Sequence, residues 1–131
     1  MPDEVAMKAS NPVSAEHAAK FAGYVANWCE QLSLGDWRVN VSDGRATRKV
    51  MAEVFKTDLE QRSATIRLGK DWGNHQVSDG ELDKLALHEV LHIFLFELLT
   101  AAQTKDIDPD TLSSHEHRCI NVLERLLTQC P

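Results

Sequence analysis

Several common protein classes are excluded by what this chain does not have. Its three cysteines, Cys29, Cys119 and Cys130, are an odd number with no CxxC pair. That argues against a disulfide framework or a Cys-rich zinc site and predicts reduced thiols acting as small hydrophobes. The opening MPDEVAMKASNPVS has neither the basic start nor the apolar run of a signal peptide, so the expectation is a cytoplasmic protein. The most apolar stretch, Val90 to Leu99, falls well short of the ~20 residues of a membrane span and reads as a buried core helix. No repeat or low-complexity segment is present. Residues 38–70 carry eight of the 14 Lys and Arg and only four acids, so they are +4 while the remainder is −10. Those charges lack the run of interleaved aromatics that a single-strand nucleic-acid platform requires, so a solvated sheet face is the plainer reading.

What is there fits one globular domain: 131 residues, 43% hydrophobic and 26% charged. Residues 1–11 are expected to form a flexible tail and 12–131 a single domain. Pro12 suits a first helical turn, with Asn11 or Ser14 as cap. Ala18, Phe21, Ala22, Val25, Trp28, Cys29 and Leu32 recur at helical spacing, and Gly35 is expected to stop that helix. The period then changes to two. DWRVNVSDG, KVMAEVFKT and SATIRLG read as three strands, with a turn at Asp43-Gly44 and with Ala64, Ile66 and Leu68 on one face. Ser78 and Glu81 form a capping box that opens a helix from about Asp79 to Thr100. Asp108-Pro109 opens the last helix, with Leu112, Cys119, Ile120, Val122, Leu123, Leu126 and Leu127 facing inward. The order predicts an α+β domain with helices packed on one face of a small, mostly antiparallel three-stranded sheet.

The stretch LALHEVLHIFLFELL carries the chemistry. His88 and His92 are four apart, so on a helix their Cβ atoms stand about 5–6 Å from each other on one face. Two imidazole nitrogens then reach one zinc ion at about 2.0–2.1 Å. Glu89 points beside that metal and is placed to take a proton from an activated water as general base. Six His and ten Glu give HExxH by chance in roughly 2 of 100 shuffled chains, so the oily helix around it supplies the rest of the argument.

A catalytic zinc site wants a third protein ligand and an open position. Leu98 stands where a third histidine of the metzincin pattern would be, and Leu95 stands in place of its glycine. At 100° per residue, the apolar residues of the last helix centre near Leu112 and Leu123. Glu116 falls about 30° from that centre, His115 about 70° and His117 about 130°. An acid inside an apolar stripe calls for a facing cation, which makes Glu116 the first choice as third ligand. His115, His117 and the loop acids Asp106, Asp108 and Asp110 remain alternatives.

A strand (ATIRLG), a loop, a helix bearing HEVLH and a last helix bearing EHRCI resemble the gluzincin core. They look in particular like the minigluzincins and the small zinc metallopeptidases encoded by phages and prophages. The resemblance covers roughly residues 60–128. It implies a zincin-like core and zinc-dependent peptide-bond hydrolysis of a protein or peptide substrate. It also implies His88, His92 and Glu116 as ligands, Glu89 as base, and ATIRLG as the sheet edge along which an extended peptide adds a strand. For an oxyanion donor, the sole tyrosine, Tyr24, lies in the first helix, which leaves His75, His115 and His117 as candidates. Trp72 is a candidate cleft wall or core anchor, and Glu97 a helix-rim acid or a support to a zinc-binding histidine. Two rival readings are a zinc-containing binding module without hydrolysis and an SprT-like protease associated with nucleic acid. Glu89 and the −10 remainder weigh against them in turn.

Overall fold

The computed structural model describes residues 10–43 and 51–129. The expected turn at Gly44, the basic residues Arg45, Arg48 and Lys49, Cys130 and most of the N-terminal tail lie outside the described residues. In chain order the elements are α1 (Ala15–Gln31), β1 (Arg38–Asp43), β2 (Ala52–Asp58), β3 (Ser63–Leu68), α2 (Asp79–Gln103) and α3 (Pro109–Leu127).

Local chemistry sets the helix starts. Ser14 caps α1: its hydroxyl accepts from the His17 amide at 3.0 Å, and the His17 ring accepts from the Ser14 amide at 3.2 Å. This reciprocal pair satisfies two of the amides that a helix start leaves without partners. Pro12 lies ahead of the helix, not in its first turn, and bridges to Asp71. Ser10 and Asn11 hydrogen-bond to Asp71, and the Val13 amide donates to the Lys70 carbonyl at 2.7 Å. The end of α1 differs from expectation as well. The helix stops at Gln31, and Ser33 (φ 60°) makes the left-handed turn assigned to Gly35. Ser78 caps α2 by accepting from the Glu81 amide, and Asp108 caps α3 by accepting from the Thr111 amide.

The sheet order is β1-β3-β2, with β1 parallel and β2 antiparallel to β3. The sheet is therefore mixed, where a mostly antiparallel one was expected. It also makes SATIRLG the central strand and not an edge. Period two reports which face of a strand is buried, and a central strand and an edge strand alternate alike. Ala64, Ile66 and Leu68 are buried as the alternation required. The antiparallel edge is β2, whose register against β3 shifts between Phe55 and Asp58, where Lys56 takes φ 52°.

Helix α2 lies at the centre, packed on α1, α3 and strand β2, while α1 also meets β1. Phe21, Val25, Ile66, Leu68, Leu82, Val90 and Ile93 are almost wholly buried, each stabilising the fold by roughly 1.5–3 kcal/mol relative to exposure. By length and composition alone, α2 as a whole is long and apolar enough to cross a membrane, although Val90 to Leu99 by itself is not. Its role as central core helix accounts for the same apolar composition.

Candidate metal centre and the groove beside it

His88, Glu89 and His92 all lie on α2, and the helix divides them by burial. The two imidazoles are exposed, while Glu89 is only 5% exposed. The rings stand 5.0 Å apart between centroids at an interplanar angle of 81°, so one turn of helix presents both to the same side. Glu89 turns inward toward β2, where the Val54 amide hydrogen-bonds to it, and one of its carboxylate oxygens lies 4.0 Å from His88 Nε2. Burial pushes the Glu89 carboxyl above the ordinary glutamate range. His88 pulls against that shift, the nearby Glu53 adds to it, and the Val54 hydrogen bond pulls against it again.

Beside this trio lies an open groove of about 450 Å³ walled by Met51, Ala52, Trp72, Leu85, His88 and Glu89, with Glu81 and Lys84 also on its lining. Trp72 is at once core anchor and cleft wall. It is 5% exposed, and its indole N–H is buried without a partner among the described residues. Lys84 and Leu85 precede His88 by four and three residues, so helical spacing alone already put them on its face. No pattern in the sequence pointed to Val54 or Met51, because their place depends on how β2 pairs.

The other candidates stand elsewhere. Glu116 is exposed on α3 and makes no hydrogen bond or ion pair with the described residues. No group of three or more His, Cys, Asp or Glu side chains suited to a metal converges among the described residues. Among the described residues, Glu116 and the histidine pair do not form such a group. On α3 the half-buried residues are Leu112, His115, Cys119, Val122, Leu123 and Leu126, while Ile120 and Leu127 are exposed. Removing those two from the stripe swings its centre toward Cys119 and His115 and leaves Glu116 on its rim. His115 lines a small cavity with Glu97, Arg118 and Cys119. The ring of His117 is bound to its own helix, Nδ1 lying 2.9 Å from the Ser113 carbonyl. His75 is exposed in the loop before α2, and its amide donates to the Trp72 carbonyl. None of these three histidines lines the groove.

Glu97 neither supports a histidine nor stands free on a rim. It accepts from Arg62 at 3.2 Å and from Arg118 at 3.1 Å, tying the segment before β3 to α2 and α3. Arg62 also pairs with Asp36 at 3.3 Å, and the Arg67 guanidinium lies 3.4 Å from the Phe55 ring centroid and pairs with Glu53. Two arginines of the basic segment are thus engaged within the chain. Cys29 and Cys119 are half-buried free thiols, and burial raises Cys29 to about 11. Comparison with models of known families, with curated proteins and with solved structures finds no match.

Proposed function

We propose that the chain is a metal-dependent hydrolase of peptide bonds, of the gluzincin type. The observation that carries this reading is the division of labour on one helical turn: two exposed imidazoles side by side, and a buried carboxylate between them and the sheet edge. Paired neutral imidazoles are a donor set that suits zinc, and their outward aspect leaves room for further ligands. His88 and His92 would hold the ion, and Glu116, which stands apart from them on α3, is the acid proposed to complete the set. Zinc bound there lowers the pKa of water toward about 7 and polarises a carbonyl.

The remaining steps belong to the chain itself. A Glu89 carboxylate oxygen takes the proton of the attacking water and then delivers it to the amide nitrogen as the peptide bond breaks. The desolvation that raises its proton affinity suits a group that must first accept and then release a proton near neutrality. An extended substrate adds to β2, the antiparallel edge beside Glu89, by backbone hydrogen bonds. One of its side chains enters the groove among Met51, Leu85 and Trp72.

Elemental analysis of the purified protein, paired with cleavage of an unstructured polypeptide before and after chelation, tests this. Stoichiometric zinc and zinc-restored cleavage are expected, with both lost in the double variant His88→Ala/His92→Ala. Full zinc in that variant, or cleavage indifferent to the chelator, overturns the reading.

A further inference from the structure

We propose that the metal site is completed between two copies of this chain, Glu116 of one copy reaching His88 and His92 of the other. The inference rests on the zinc reading above and adds an assembly to it. Among the described residues the exposed large hydrophobics are four: Leu95, Leu99, Ile120 and Leu127, which are 37%, 54%, 47% and 79% exposed. All four lie on α2 and α3. Although α3 is amphipathic, none of its residues is buried.

The placement is ordered. On α2, His88, His92, Leu95 and Leu99 are spaced four, three and four, which makes one outward stripe. On α3, Glu116, Ile120, Leu123 and Leu127 have the same spacing, Leu123 half-buried and the other three exposed. Leu87 and Leu91 of α2 share a groove with Leu123 and Leu126, while Leu98 shares a cavity with His115 and Cys119. Later residues of one helix thus meet earlier residues of the other, and the pair is antiparallel. The histidines and Glu116 consequently occupy opposite corners of a single face, with Leu99 and Leu127 at the other two corners. This is why one chain does not join them.

A two-fold axis that lies in the face and crosses the line from the histidine pair to Glu116 at its midpoint and at a right angle turns one copy's face onto the other's. It seats the histidine corner of each copy over the Glu116 corner of the other and forms two equal sites, as an isologous contact must. Helices packed about 8–10 Å apart leave a gap that an imidazole, a glutamate and metal bonds near 2 Å fill. The exposed parts of the four apolar side chains amount to on the order of 400 Å² per copy, about half of what each partner buries in a standard stable interface. The polar surface around that centre makes up the remainder. The chemistry at the corners is complementary in the same sense, two imidazoles meeting one carboxylate that has no partner among the described residues.

The test is complementation of two zinc-deficient chains. His88→Ala/His92→Ala and Glu116→Ala chains are co-expressed with different tags and purified as the mixed dimer, with zinc measured by elemental analysis and mass by sedimentation. A wild-type dimer is expected to hold about two zinc ions, the mixed dimer about one, and each variant alone none. Leu99→Asp/Ile120→Asp, both on exposed positions, is expected to give monomers with zinc affinity reduced at least tenfold. A monomeric wild type with full zinc overturns the proposal, as does a mixed pair with none. A wild type that binds no zinc overturns the metal reading beneath it.

Discussion

Glu89 and Glu97 stand little more than two turns apart on the same helix, both turned away from solvent, and their surroundings have opposite character. Glu97 is met by two guanidiniums, Arg62 and Arg118, brought from the segment before β3 and from the neighbouring helix. Glu89 is met by a backbone amide, an imidazole 4.0 Å away and a second acid, Glu53, itself engaged with Arg67. A carboxylate with two fixed cations is a clamp: its charge is matched, and moving its proton serves nothing. A carboxylate that is desolvated and given no such cation holds its proton more readily, and it does so at the wall of an open groove. On the proposed reading, one residue type on one helix is divided between structure and chemistry by what the sheet and α3 set against it.

The largest expected effect breaks the comparison at its chemical end. Glu89→Gln keeps the shape and the Val54 contact and removes the proton acceptor. Peptide cleavage by the zinc-loaded protein is expected to fall by about 10²–10⁴-fold, with zinc content unchanged. Measured kcat together with elemental analysis checks this, and cleavage at the wild-type rate would remove Glu89 from the mechanism. Next comes the structural end. Glu97→Ala leaves Arg62 and Arg118 without their shared acceptor. Glu97 is largely buried and Arg62 partly so, and the expected cost is about 1–3 kcal/mol after allowance for solvent screening. It is read as a lower urea midpoint at unchanged slope. The same variant should leave kcat within about twofold, because Glu97 borders the cavity with His115 and not the groove.

The two acids were unequally legible in the sequence. HExxH on an oily helix marked Glu89, because a polar pair four apart amid apolar residues needs a reason that local spacing supplies. The spacing around Glu97 says nothing of its kind: its arginines lie 35 and 21 residues away, and long-range pairing leaves no trace in a period. The same division runs through the fold. Strand β3 with its buried Ala64, Ile66 and Leu68, the Ser14, Ser78 and Asp108 caps, and helix α2 were readable from neighbours in the chain. The insertion of β3 between β1 and β2 was not, because a crossover is a choice among distant partners. Ser33 in place of Gly35 shows that a left-handed residue need not be the nearest glycine. Glu116 was placed by averaging the whole apolar stripe of α3. Ile120 and Leu127 are exposed, so they belong to the outward surface and pulled that average toward it.

The smallest expected effect sharpens the comparison through pH, in the metal-free protein. Burial raises the Glu89 carboxyl above the ordinary value of 4.5, so the folded chain binds that proton more tightly than the unfolded chain. A group raised in this way contributes its full stabilisation below 4.5 and loses it as pH rises through the folded value. At neutral pH the ionised carboxylate therefore costs the metal-free fold stability, and Glu89→Gln, which has no charge to desolvate, is expected to melt at a higher temperature than wild type. Thermal melts of both proteins across pH 4–8 check the sign: the advantage of the variant should shrink as pH falls toward 4.5 and vanish below it. Glu97→Gln is the control, since it deprives two arginines of their counter-charge and is expected to melt below wild type at pH 7. If Glu89→Gln also melted below wild type at neutral pH, the carboxylate would be a matched charge like Glu97, and the contrast between clamp and base would fail on this helix.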